Sequence, residues 1–276
     1  MKYKLLIEAN DRKGLVYKIS KILYEYGLNI EQNTEFVDAC SNKFFMRTEF
    51  SGDIIKQKLI DDIKAILPTN HMISLKNDDK KNIVLLVSKE SHVLGDLLIR
   101  YESGELQANI KAVISNHDNT KKLTEKFGIP FFHIPTNSLS REQHEALVKK
   151  TINRFDPNII VLAKYMRILT PDFVKNYQHK LLNIHHSFLP AFVGANPYDM
   201  AYERGVKIVG ATAHYVTDEL DEGPIICQDV VHIDHTYNSD DMCKAGKNVE
   251  KIVLSDALNL LLEDKVLTFN NKTVIL

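Results

Sequence analysis

The segment KNDDKKNIVLLVS, residues 76–88, is where the chain changes character. Its first half, Lys76 to Asn82, is polar and mixed in charge and offers nothing to bury, so it reads as a linker with a domain boundary near residue 80. Its second half, NIVLLVS, is an unbroken apolar run, and similar runs follow in IKAVISN (110–116), FFHIP (131–135) and NIIVLAKY (158–165). Strands of this kind have both faces covered, the situation of a parallel sheet. Helical patterns lie between them, among them Arg141 to Arg154 with Leu147, Val148 and Ile152. Alternating strands and helices predict a doubly wound, Rossmann-like, mostly parallel α/β domain over residues 80–276. KIVGATAHYVT (207–217) and PIICQDVVHI (224–233), with DELDEG between them, predict an antiparallel pair at the sheet edge. A long amphipathic helix from Asp240 and a terminal hairpin turning at Asn270-Asn271 complete this half.

Upstream of the boundary the rhythm is different. YKLLIEA (3–9) is a short strand, and from Gly14 the apolar positions Leu15, Ile19, Ile22, Leu23 and Tyr26 recur at helical spacing until Gly27. LNIEQNTEFVD and KFFMRTEF suit a hairpin across residues 39–42. Asp53 is expected to cap a second helix with the apolar face Ile54/Ile55, Leu59, Ile63 and Ile66/Leu67, and HMISL supplies a last strand. The order βαββαβ over residues 1–79 is the ferredoxin-like split motif.

The 276 residues hold 35 Lys+Arg against 36 Asp+Glu, a net charge of −1, which excludes a partner recognised by bulk charge, whether nucleic acid or membrane surface. Cys40, Cys227 and Cys243 are odd in number and far apart, so neither a disulfide framework nor a thiolate zinc knuckle is expected and a reducing cytoplasm is the natural setting. No apolar run is long enough to span a bilayer, and the N-terminus lacks the pattern of a signal peptide.

In open parallel sheets ligands bind beyond the carboxyl ends of the strands. After the first strand of the second half stands KESHVLGD (89–96), not a glycine-rich turn, and Glu90 lies where an anion would sit; a phosphate cradle is not expected there. Lys89 and His92 are either substrate contacts or simply an exposed loop and a first helical turn. LLNIHHSFLP (181–190) is richer. Asn183 and His185 are two apart, so on an extended segment they project to one side, and an amide beside an imidazole can donate to a developing oxyanion. His185 can also move a proton near neutral pH, while His186 points the other way as a structural hydrogen-bonder. HYVTDELDEGP adds His214 and Asp221, the latter before a Glu-Gly-Pro turn that can hold a carboxylate fixed beside a histidine. The plainer readings are a satisfied polar strand end and a solvated turn. A metal site from His185, His186, His214 and an Asp lacks any compact ligand spacing, and none is expected; His232, Asp234 and His235 read as surface positions.

Three blocks in order, LAKYMRIL (162–169), NIHHSFLPAF (183–192) and GATAHYVTDELDEGPII (210–226), resemble the 10-formyltetrahydrofolate-using formyltransferase family over most of residues 83–276. The resemblance implies a catalytic trio of Asn183, His185 and Asp221, and a folate pocket along Arg167, Ile168, Leu169, Thr217 and Leu220; Lys89, His92 and His214 stand beside it as possible substrate-loop residues on the reading of the residues above. The N-terminal half resembles an ACT domain, with Asp11-Arg12-Lys13-Gly14 and Gly27-Leu28-Asn29-Ile30 at the matching turns and Lys13 in place of the usual proline. An ACT domain, a linker and a formyltransferase-like domain together resemble the formyltetrahydrofolate deformylases over the full chain. Asn196, in GANPYDMA, stands where an arginine is more usual.

That resemblance implies hydrolysis of 10-formyltetrahydrofolate to tetrahydrofolate and formate, supplying formate for purine biosynthesis and balancing the one-carbon folate pools, with no cofactor beyond the folate substrate itself. It also implies a homo-oligomer, dimer or tetramer, with a small amino-acid effector at the ACT domain or dimerisation alone. The alternatives are transfer of the formyl group to an amine and a non-catalytic, amino-acid-sensing folate-binding protein.

Overall fold

The computed structural model describes residues 1–191 and 197–276. The chain divides into two compact units, Met1–Asp79 with Asp264–Leu267 and Val274–Leu276, and Lys80–Glu263 with Thr268–Thr273.

In the first unit, β1 (Lys2–Asn10), α1 (Leu15–Glu25), β2 (Asn29–Asp38), β3 (Lys43–Ser51), α2 (Lys56–Ile66) and β4 (Met72–Asn77) follow the βαββαβ order. The sheet is antiparallel with strand order β2-β3-β1-β4, an ACT-like arrangement. Period-two alternation along β1 and β3 places Leu5, Ile7, Ala9, Phe44 and Met46 on one face, where they pack with Leu15, Ile19 and Leu23 of α1 and Leu59 and Ile63 of α2. Two local expectations are corrected. Asp53 does not cap α2: the helix starts after Ile55, whose backbone is still extended and whose side chain makes no cap bond, and Ile55 itself is exposed. The polar run 76–82 is not a free linker either, because Lys76 and Asn77 end β4 and Lys81 and Asn82 begin β5 (Lys81–Val87). Charged residues serve as well as any at exposed strand ends, where backbone pairing alone decides membership. The last residues of the chain group with this unit, with Lys76 Nζ 2.6 Å from Asp264 Oδ1.

The second unit continues with α3 (His92–Glu102), β6 (Ala108–Ser115), α4 (Lys121–Lys126), β7 (Phe131–His133), α5 (Arg141–Ile152), β8 (Ile159–Ala163), α6 (Pro171–Asn176), β9 (Leu181–His185), α7 (Pro197–Arg204), β10 (Ile208–Tyr215), β11 (Ile225–His232) and α8 (Ser239–Leu262). A short hairpin of β12 (Val266–Phe269) and β13 (Lys272–Ile275) follows. Seven strands form one sheet in the order β11-β10-β9-β8-β5-β6-β7. Strands β5 to β9 pair in parallel, and β10 and β11 are added antiparallel at the edge. The apolar runs are buried on both faces, as in Ile83–Val87 and Ile159–Ala163. After β7 the chain crosses back to lay β8 on the other side of β5. The loops that follow β5 and β8 therefore diverge and open a crevice at the carboxyl ends of the central strands.

Candidate active site

Strand alternation sends Asn183 and His185 to one face of β9, and the β9–β10 register sets His214 directly opposite Asn183. His214 donates from Nδ1 to its neighbour Tyr215's carbonyl at 2.8 Å, which leaves Nε2 to accept from the Asn183 amide at 3.2 Å. His185 Nδ1 is 3.2 Å from Asp221 Oδ2, and His214 Nε2 is 3.6 Å from Asp221 Oδ1. Nε2 of the buried His185 has no hydrogen-bond partner among the described residues. The three catalytic candidates and His214 thus form one connected group.

Asp221 reaches this group because the loop 216–224 turns tightly beneath it. Its own backbone is left-handed at φ 58°, a region asparagine and aspartate tolerate better than most residues. Gly223 then passes so close to β10 that a Cβ there would lie 1.8 Å from the Tyr215 carbonyl oxygen. Burial alone would push the Asp221 carboxyl up, but the hydrogen bond from His185 and the two imidazoles of His185 and His214 beside it outweigh that and hold the group well below the usual carboxylate range. Asp221 is therefore an ionised acceptor at neutral pH.

The loop after β8 supplies the opposite wall. Helix α5 holds it from behind: the buried Glu145 accepts from the Thr170 backbone N–H at 2.9 Å, and Arg141 bonds the Ile168 carbonyl. With its back secured, the loop offers Arg167, Ile168 and Leu169 to a cleft of about 680 Å³ that Thr217, Leu220 and the catalytic group also line. Met166, Ile168 and Leu220 are exposed at 61%, 59% and 55%, an unusual density of bare apolar side chains around one opening and a fit for a flat, partly apolar ligand.

The same cleft has a charged lining that sequence reading missed. Glu250 of α8 is fully buried; Oε2 accepts from His92 at 2.9 Å and pairs with Lys164 at 3.2 Å, while Oε1 accepts from Tyr198 at 3.0 Å. Burial opposes ionisation here too, yet His92 and Lys164 draw the Glu250 carboxyl down to about 2. Glu90 pairs with Lys247 at 2.9 Å. One signal was available: Met242, Gly246, Glu250 and Leu254 form a single i, i+4 row along α8, and a carboxylate on that otherwise apolar row marks a buried charge. Nothing local marked Lys164 as its partner, since only the fold brings β8 and α8 together.

Other expected residues fall differently. Lys89 is exposed and does not line the cleft, because it tips outward before α3 begins. His92 sits behind Glu250 and outside the lining, and His214 lies within β10 and not on a loop. His186 does not point away from His185 as anticipated: its ring stacks on His185 at 5.0 Å and leans on Tyr198, and burial with the nearby Lys164 and His185 charges draws its pKa down to about 4. Asn196 lies outside the described residues. Among the described residues no group of three or more His, Cys, Asp or Glu is arranged to hold a metal ion, and no helix is long and apolar enough to cross a membrane.

Comparison with known proteins agrees with this geometry. Residues 81–258 match the formyl transferase family model. The chain is 50% identical over 272 residues to the formyltetrahydrofolate deformylase of Haemophilus influenzae, covering 99% of this chain and 98% of that one. The crystal structure of a formyltetrahydrofolate deformylase from Pseudomonas syringae pv. tomato superposes with a TM-score of 0.95 at 41% identity, over 100% of this chain and 94% of the other. A glycinamide ribonucleotide transformylase from Symbiobacterium toebii matches with a TM-score of 0.69 at 25% identity, over 76% of this chain and 100% of its own. Likeness that runs through 99–100% of the chain, where the transformylase matches 76% of it, places this chain in the formyltetrahydrofolate deformylase family.

Proposed function

We propose that the protein hydrolyses 10-formyltetrahydrofolate to tetrahydrofolate and formate at the cleft around Asn183, His185 and Asp221. The observation that carries the reading is the linked group itself: an ionised carboxylate bonded to an imidazole whose other nitrogen is buried without a hydrogen-bond partner among the described residues. With Nδ1–H donated to Asp221, protonation of His185 places an N–H on Nε2, ready for the oxyanion of a tetrahedral adduct. The Asn183 amide, held through one N–H by His214, has a second N–H for the same oxygen. Asp221 accepts from the attacking water and orients it. The water oxygen bonds to the formyl carbon, the bond from that carbon to N10 breaks, one water proton ends on N10, and formate leaves with the second proton released to solvent. No group beyond the folate is required for these steps.

In this reading Arg167, Ile168, Leu169, Thr217 and Leu220 bind the pterin, largely through backbone groups, and residues 80–276 are the catalytic domain. Residues 1–79 serve as an ACT-like regulatory and oligomerising domain, with a small amino-acid effector held between the Asp11–Gly14 turn and Gly27–Ile30. The enzyme works in the cytoplasm as a dimer or tetramer, supplying formate for purine biosynthesis. The test is to incubate the protein with 10-formyltetrahydrofolate, with and without glycinamide ribonucleotide, and to measure formate. Formate release without acceptor is expected; release of formyl groups only onto the added amine would replace the hydrolase with a transferase, and binding without turnover would leave a folate sensor.

A further inference from the structure

Lys164 is an unexpected residue for its place. It follows the last residue of β8 with φ 61°, the left-handed region that glycine adopts freely and a side chain with a Cβ adopts under strain. Its side chain is 5% exposed, and its ammonium lies 3.2 Å from the Glu250 carboxylate, which is 1% exposed. Both a strained backbone and a desolvated cation are unfavourable, and the ion pair is what offsets them. The pair also lines the cleft that holds the catalytic group. His186 connects the two regions, stacked on His185 at 5.0 Å and leaning on Tyr198, which in turn donates to Glu250.

A buried carboxylate in a cleft beside an acyl-transfer centre is the natural partner for the N–H groups of an amine nucleophile. Here both of its oxygens are engaged: Tyr198 holds Oε1, and His92 and Lys164 hold Oε2. Gly246 makes this closure possible, since a Cβ there would meet the Tyr198 hydroxyl at 2.1 Å. Resting on the hydrolytic reading above, we infer that Lys164 is a specificity-determining residue: its ammonium occupies the place on Glu250 that an acceptor amine would need, and so leaves water as the nucleophile. Water, with no substituent to house, needs only the Asp221 carboxylate and the space beside the formyl carbon.

The test uses the full chain and its variants Lys164→Gly and Lys164→Gly/Glu250→Gln, with 10-formyltetrahydrofolate and glycinamide as the acceptor probe. Glycine suits the left-handed backbone, and the double variant removes both charges together, so that no unpaired buried carboxylate threatens folding. In a variant that transfers, the amine nitrogen bonds to the formyl carbon, the bond to N10 breaks, and the proton lost by the amine ends on N10. Formate and N-formylglycinamide are measured together. The wild type is expected to place all its formyl groups in formate, whereas Lys164→Gly yields formylglycinamide in proportion to added glycinamide, at least about tenfold above wild type, a difference of about 1.4 kcal/mol between the two nucleophiles. Wild-type hydrolysis with the same product partition in both variants overturns the inference alone. Loss of all turnover in folded variants overturns it as well, by making Lys164 necessary for hydrolysis itself. A wild type that releases no formate overturns the hydrolytic reading and this inference with it.

Discussion

Replacing Asp221 by asparagine isolates the charge at the centre of the site while preserving its shape. The carboxylate lies 3.2 Å from His185 Nδ1 and 3.6 Å from His214 Nε2, with its side chain 13% exposed. In the proposed mechanism His185 becomes an imidazolium against the developing oxyanion, and a unit charge at 3.2 Å would stabilise it by about 5 kcal/mol at an effective dielectric of about 20. Losing that interaction corresponds to a fall of roughly 10³–10⁴-fold in kcat. The amide can still accept from His185, so the ring stays in place and the loss is one of charge. The apolar loop after β8 is untouched, so folate affinity is expected to change by less than about threefold. Formate release followed with a coupled formate dehydrogenase supplies kcat, and titration with 5-formyltetrahydrofolate, a non-reacting isomer, supplies affinity. A fall in kcat below about tenfold would remove the Asp221 charge from the mechanism. A fall in affinity that matches the fall in kcat would make Asp221 a substrate anchor instead.

Three further outcomes are expected. His186 has its folded pKa drawn down to about 4 from 6.5. Stability is therefore unaffected by this group above about pH 6.5 and falls as the unfolded chain takes up the proton first, by roughly 2 kcal/mol between about pH 7 and about pH 5; urea midpoints should show this slope, and His186→Gln should flatten it. Gly223→Ala forces a Cβ to within 1.8 Å of the Tyr215 carbonyl oxygen, so a loss of about 3 kcal/mol in thermal unfolding is expected together with loss of turnover as Asp221 shifts; an unchanged melting temperature would contradict the packing described for that turn. Glu145→Ala frees the Thr170 N–H held at 2.9 Å and slackens the loop from behind, so KM for the folate should rise roughly tenfold with kcat within about threefold of wild type; a change confined to kcat would mean that the loop does not bind substrate.

Much of the architecture was legible because it rests on local periodicity. The doubly buried runs 82–88 and 158–165 could only be covered strands, and the βαββαβ order upstream followed from alternation and turns. Asp53 misled because a capping residue is a local preference, and α2 begins only after Ile55, whose backbone is still extended. The polar run at 76–82 has strand residues on either side of 78–80 because strand ends at a surface accept charge.

The candidate site divides along the same line. Asn183 and His185 share a face by the two-residue period of an extended chain, which the sequence alone determines, and the Gly-Pro turn already tied Asp221 to a fixed position. What only the tertiary structure decided is which groups meet: His214 across the β9–β10 register, Lys164 at the end of β8 with Glu250 on α8, and His92 on α3 behind them both. These contacts join residues far apart in the chain, and each charge buried among them is tolerated only because its partner is buried with it. No local pattern carries that information, because a lysine in a surface loop and one sealed against a buried glutamate are spelled the same way.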